Sequence, residues 1–155
     1  MSAPGRQVEL LVPACGRLLG IDLGSRRVGV AACDSGRRMA SGVTVIPRVG
    51  DRVREHRQLA GVVEEYDAVG LIVGLPLSLS GQVGPAAAGV LAEVDELRND
   101  LGIPVETHDE RFTTVSAASA LAASGRRGPK QRALVDQVAA AMILQSWIDG
   151  PGGRR

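Results

Sequence analysis

The chain has 155 residues, 45% hydrophobic, 23% charged and only 2% aromatic, with 18 Lys+Arg against 17 Asp+Glu. That length fits one domain in which about 70% of the unfolded surface can be buried, so a core forms without disulfide or metal staples. Tyr66, Phe112 and Trp147 are the entire aromatic complement, which excludes a base-stacking platform built from several exposed rings.

The net charge of +1 conceals an asymmetry. Residues 1–57 hold ten Arg against five acids, residues 58–110 one Arg against ten acids, and residues 111–155 seven bases against two acids. No acid falls between Glu110 and Asp136, a gap that carries Arg111, Arg126, Arg127, Lys130 and Arg132. Taken singly, most Arg residues read as solvated surface. The acid-free gap points further, to a phosphate-bearing partner, because the planar guanidinium fork suits phosphate oxygens. Cys15 and Cys33 have neither a metal spacing nor the number for a disulfide framework, which fits a reduced, cytoplasmic protein. Glu9 and Pro13 interrupt the stretch before Cys15, so no export signal is expected. No apolar run approaches the ~20 residues of a membrane span.

Met1 to Gly16 reads as a flexible tail. Leu18 to Asp22 is a buried strand that ends in a carboxylate, and Gly24-Ser-Arg-Arg27 turns the chain into a second strand, Val28 to Ala32. A third runs from Ala40 to Ile46, stopped by Pro47, completing an antiparallel meander. Asp51 to Tyr66 is helical, with Leu59, Val62, Val63 and Tyr66 on one face; His56 reads as a solvated residue of that helix. Val69 to Gly74 is wholly apolar, as in a parallel strand covered on both sides. Leu75 to Gly81 is a loop, Pro85 starts a helix that stops at Gly102, and Ile103 to His108 is a fifth strand. Thr113 or Thr114 can cap a helix through Ser124. Gly125 to Gln131 is a loop, and a final helix, about Gln131 to Ile148, precedes a flexible tail over 150–155.

This order predicts an α/β fold: a five-stranded mixed sheet of order 3-2-1-4-5 flanked by helices, the ribonuclease H-like plan, in one domain over 17–149. Sites in open α/β sheets gather beyond the carboxyl ends of strands. Asp22 closes strand 1 and Glu110 follows strand 5. Asp136 shares a stripe of the last helix with Ala140, Ile143 and Trp147, so it faces the body of the protein. Converging carboxylates repel one another, and oxygen-only ligands favour Mg²⁺ or Mn²⁺. Such an ion activates water and stabilises the oxygens of a phosphodiester. The bland readings are a turn role for Asp22, a pair of Glu110 with Arg111, and a pair of Asp136 with Arg132. Asp109 is adjacent to Glu110, so alternation sends only one of them inward. His108 reads as structural, and Cys33 as a small core residue.

Gly20-Ile-Asp-Leu-Gly24 with Val28-Gly-Val-Ala31, then Val73-Gly-Leu-Pro-Leu77, Asp109-Glu-Arg-Phe-Thr-Thr114 and Asp136-Gln-Val-Ala-Ala140 resemble the motifs of the YqgF family, from about Arg17 to Gly150. This is a family of bacterial RuvC-type, ribonuclease H-like nucleases, often called Holliday junction resolvase-like. The resemblance implies trimming of the 5′ end of precursor 16S ribosomal RNA, with Asp22, Glu110 and Asp136 as the catalytic, metal-holding acids. RuvC-type sites typically gather four carboxylates, yet the Leu75–Gly81 loop offers none, so either Asp109 is a further ligand or three acids suffice.

The leading expectation is therefore a Mg²⁺- or Mn²⁺-dependent nuclease acting on structured RNA. Arg26, Arg27, Arg111, Arg126, Arg127, Lys130 and Arg132 would grip the backbone, and a ribosomal subunit or precursor would be a partner. Resolution of four-way DNA junctions is the alternative, and its two symmetric cuts call for a homodimer. A catalytically inactive RNA-binding assembly factor is a third reading. An actin-like or sugar-kinase ATPase, suggested by Asp22-Leu-Gly-Ser25, would need two lobes around its nucleotide, and this chain provides one.

Overall fold

The computed structural model describes residues 11–112 and 128–154. The helix expected to start at Thr113 or Thr114 lies outside them, as do Arg126 and Arg127. The elements are β1 (Leu18–Leu23), β2 (Arg27–Cys33), β3 (Ala40–Pro47), α1 (Arg52–Glu65), β4 (Gly70–Leu75), α2 (Pro85–Leu101), β5 (Val105–Asp109) and α3 (Pro129–Asp149). Short 3₁₀ turns follow at Glu110–Phe112 and Pro151–Arg154.

The sheet has the expected order, β3-β2-β1-β4-β5. β1 to β3 form the antiparallel meander, and β4 and β5 join in parallel. β4 is buried at every position, which its unbroken apolar sequence suits. Asp51 caps α1 by accepting from the Arg54 amide at 3.1 Å. Pro85 opens α2, and Gly102 ends it with φ 65°, a left-handed position that glycine reaches without strain.

Alternation along the strands divides the core in two. Leu19, Ile21, Val30, Leu71 and Val73 pack with Leu59 of α1 and Val90, Val94 and Leu97 of α2. On the opposite face Leu18, Cys33 and Ile72 meet Ala139, Ile143, Leu144 and Trp147 of α3. Each fully buried Leu or Ile contributes about 1.5–3 kcal/mol.

Glycine allows α3 to lie close against the sheet. Gly42, Gly29, Gly20 and Gly74 come from four adjacent strands and all face α3. A Cβ on Gly20 would stand 2.6 Å from the Ala140 carbonyl oxygen, and one on Gly29 would collide with the carbonyl of Asp136. Glycine inside a strand marks such an approach.

Residues 11–16 and 151–154, expected within flexible tails, instead make specific contacts. Val12 is buried, its amide donates to Glu106 Oε2 at 2.8 Å, and Arg37 donates to the carbonyls of Pro13 and Gly16. Gly152 lies against the Trp147 ring. Val12 and Trp147 belong to the same buried cluster, which anchors both segments. His56 is likewise not solvated: it is 4% exposed, and its ring nitrogens contact Glu93 at 2.8 Å and Asp100 at 2.7 Å. Helical spacing put His56 on a charged face but could not show that α2 packs carboxylates against that face.

Candidate active site

Asp22 sits at the carboxyl end of the central strand, on the face shared by Leu18 and Gly20, and therefore points toward α3. Its Cα partner in β2 is Gly29, directly beneath the backbone of Asp136. On its other side the β1–β4 pairing runs through Ile21 and Val73, so Gly74 is the next residue along. A Cβ on Gly74 would be 2.6 Å from Glu110 Oε1. Two glycines thus make room for the two other acids on either side of Asp22.

The three carboxylates interact electrically. Burial pushes Asp22 up to about 6, and the charge of Asp136 adds to the rise. Burial pushes Glu110 up to about 7, with contributions from the charges of Asp22 and then Asp109. Such shifts mark acids that repel each other in a poorly solvated place. They are also typical of functional sites.

Asp136 meets a cation: Arg27 Nε donates to its Oδ2 at 2.5 Å, and neither side chain is more than 27% exposed. The partner is thus Arg27 from β2, not Arg132 one turn earlier in the helix. Arg27 accordingly lies among the acids. Arg26, on the same turn, is exposed, as are Lys130 and Arg132 in the first turn of α3.

The strand register distinguishes Asp109 from Glu110. Glu106 and His108 face α3, contacting Trp147 Nε1 at 3.4 Å and Ser146 Oγ at 2.9 Å, and Glu110 continues that side. Asp109 is taken up by Arg111, accepting from its Nη2 at 2.7 Å and from its backbone amide at 2.9 Å. These bonds hold Asp109 well below the usual carboxylate range. Arg111 in turn donates from Nη1 to the Leu79 carbonyl at 3.3 Å and lies over Gly81. The two residues clasp the Leu75–Gly81 loop. His108 is lowered by burial, against the opposing pull of Asp109.

Among the described residues no three His, Cys, Asp or Glu side chains form a ready-made metal cage. Two half-buried, mutually repelling carboxylates, Asp22 and Glu110, still suit a hard cation. Mg²⁺ commonly takes one or two protein carboxylates and completes its shell with water and substrate phosphate. The donor set fits such an ion, with Asp136 held beside it by Arg27.

One residue important to this geometry escaped the sequence reading. Arg48, just beyond β3, donates from Nε to the Gly24 carbonyl at 3.1 Å, on the turn that follows Asp22. Nothing in local spacing marks it. The glycines at 29 and 74 did leave a signal, as single small residues inside otherwise apolar strands.

Residues 16–150 match the family described as "RuvX: Holliday junction resolvase". A relative from Rhodococcus opacus (strain B4), named "Putative pre-16S rRNA nuclease", is 46% identical over 141 residues, covering 88% of this chain and 79% of its own. One of the same name from Streptomyces avermitilis is 43% identical over 135 residues, covering 86% of each chain. Among solved structures, T. thermophilus RuvC in complex with Holliday junction substrate aligns with a TM-score of 0.53 at 15% identity, over 85% of this chain and 94% of that one. That likeness is one of fold.

Proposed function

The chain belongs to the RuvX family of nucleases, and from that membership we propose that Asp22, Glu110 and Asp136 form the cleavage centre of an enzyme that trims the 5′ end of precursor 16S ribosomal RNA. The observation that carries the reading is the pair of half-buried acids at the carboxyl ends of β1 and β5, which flank Gly74 and are raised to about 6 and about 7. Relatives at 43–46% identity bear the name of a precursor-rRNA nuclease, which supports RNA as the substrate.

Asp22 and Glu110 would hold a Mg²⁺ or Mn²⁺ ion, with Asp136 as the third acid of the site. When bound, the ion supplies an activated water and neutralises charge on the phosphodiester. Arg26, Lys130 and Arg132, all exposed, would meet backbone phosphates, together with Arg126 and Arg127. Phosphate contacts position the strand without reading sequence. Trp147 is buried, which leaves backbone shape or a ribosomal partner to select the cut. Arg111 and Asp109 would shape the adjoining loop; Asp109 is no ligand in this reading. A cytoplasmic setting follows from the substrate. Among the described residues no helix is long and apolar enough to cross a membrane.

The family description also supports a second reading, cleavage of four-way DNA junctions, which calls for a two-fold dimer with two sites. The test is cleavage of a precursor 16S fragment beside a four-way junction, with Mn²⁺ and with EDTA. RNA cut faster than junction supports the main reading, and the reverse overturns it. RNA binding with no cleavage of either substrate would identify an inactive assembly factor.

A further inference from the structure

Glu55, His56 and Glu93 are the fully buried polar or charged side chains among the described residues, more deeply buried than Asp22 and Glu110, and none lies in the acid site. They line the seam between α1 and α2, where His56 backs Glu93, and Glu55 and Glu93 converge on Arg48. Its Nη1 and Nη2 each reach Glu93 at 2.8 Å, and Nη1 also reaches Glu55 at 2.9 Å. Glu55 accepts further from the Val49 amide at 2.8 Å, and His56 links Glu93 to Asp100. A network that only stapled two helices would need no link to the sheet, since well-packed apolar residues serve that purpose as well. This one has a link: Arg48 Nε donates to the Gly24 carbonyl at 3.1 Å, and the Arg48 amide to the Arg26 carbonyl at 2.9 Å.

Both carbonyls belong to the turn between β1 and β2, which presents Ser25 and Arg26 beside Asp22. The turn borders an open cleft of about 570 Å³ whose lining includes Gly24, Ser25, Arg48, Arg52 and Glu55, so side-chain packing does not fix it from that direction. We propose that Arg48 is a positioning residue: the buried α1–α2 charge network, acting through the Arg48 guanidinium, holds the Gly24–Arg26 turn in the conformation that meets a substrate phosphate. None of the Arg48 hydrogen bonds goes to Asp22, Glu110 or Asp136; Arg48 acts through the turn. The proposal rests on the nuclease reading for the identity of the ligand, and on the network alone for the rigidity of the turn.

The test uses the full chain with Arg48→Lys, which keeps a cation beside Glu55 and Glu93 but loses the Nε donor and the two-pronged grip. Three quantities are read: amide hydrogen exchange along residues 18–27, affinity for a 5′-extended RNA duplex in EDTA, and Mn²⁺ affinity without RNA. Exchange at Gly24, whose amide donates to the Asp22 carbonyl at 3.0 Å, is expected to quicken about tenfold while Leu19 to Asp22 stay protected. RNA affinity is expected to fall about tenfold and Mn²⁺ affinity to stay within twofold, since only phosphate-facing groups move. If Arg48→Lys does not fold, Glu93→Gln, which removes one anchor of the guanidinium, is expected to give the same pattern at about threefold. A folded variant with unchanged turn exchange and RNA affinity overturns the proposal, as does a uniform rise in exchange across the sheet. A wild-type chain that neither binds nor cuts RNA refutes the nuclease reading instead, and the exchange data still decide whether Arg48 rigidifies the turn.

Discussion

Arg27 of β2 and Asp136 of α3, 109 residues apart in sequence, are joined at 2.5 Å, so the third acid of the site already has a resident cation. On the proposed reading, a divalent ion at Asp22 and Glu110 would share Asp136 with that guanidinium. Arg27→Met is therefore expected to tighten Mn²⁺ binding about tenfold, because a positive charge beside the site is removed. RNA affinity should weaken at the same time. Calorimetric titration with Mn²⁺ checks this, and weaker metal binding in the variant would contradict it.

The raised acids give stability a definite pH dependence in the absence of metal. Asp22 and Glu110 titrate at about 6 and about 7 in the fold, from ordinary values of 3.8 and 4.5. The folded chain binds these protons more tightly than the unfolded one. Their stabilising effect is complete below about pH 4 and is lost as pH rises through about 6 and 7. His108, lowered by burial, works in the opposite sense near its ordinary value of 6.5, so the informative quantity is a difference between variants. In EDTA, Asp22→Asn should be more stable than wild type at pH 8, by on the order of 2 kcal/mol, and equal to it at pH 4. Urea unfolding at the two pH values would show it; an Asn variant less stable at pH 8 would refute the assignment of strain to Asp22.

Close approach of α3 to the sheet makes Gly29 a sensitive position. Gly29→Ala forces a methyl group against the backbone of Asp136 and is expected to cost about 1–3 kcal/mol. It should also lower kcat by more than about tenfold, since Asp136 is displaced. Gly61, exposed in α1 with nothing within 4 Å of a Cβ, provides the contrast. Gly61→Ala should stabilise the helix by about 0.5–1 kcal/mol and leave cleavage unchanged. Thermal unfolding with steady-state rates separates the two.

Asp109 and Glu110 are neighbours with separate tasks. Glu110→Gln should abolish Mn²⁺ binding at millimolar levels. Asp109→Asn should keep that binding and instead free Arg111, loosening the Leu75–Gly81 loop and raising KM about three- to tenfold with kcat nearly constant. Loss of metal binding in the Asp109 variant would make Asp109 a ligand after all.

The strand order was legible because each strand carries its own period: an unbroken apolar run in β4, short turns at Gly24–Arg27 and Ser35–Arg38, and Pro and Gly stops around the helices. Asp22 and Asp136 could be placed by position alone, one at a strand end and the other on an apolar helical stripe. What stayed illegible depends on pairing across the fold. Alternation said that only one of Asp109 and Glu110 turns inward, yet choosing Glu110 required the β5 register against α3. The burial of His56 required α2 packed over α1. The link from Arg48 to Gly24 joins a strand end directly to a turn 24 residues earlier, while Glu55 and Glu93, 7 and 45 residues later, hold the same guanidinium. No local pattern encodes such contacts.

The most direct measurement for the central claim is single-turnover cleavage of a precursor 16S RNA fragment in Mn²⁺ by wild type and Asp22→Asn, with RNA affinity measured on the same samples. The expected result is loss of about 10³-fold or more in the cleavage rate at unchanged RNA affinity, since Asp22 is placed to hold the ion rather than the strand. Full metal-dependent cleavage by a folded Asp22→Asn chain would contradict it.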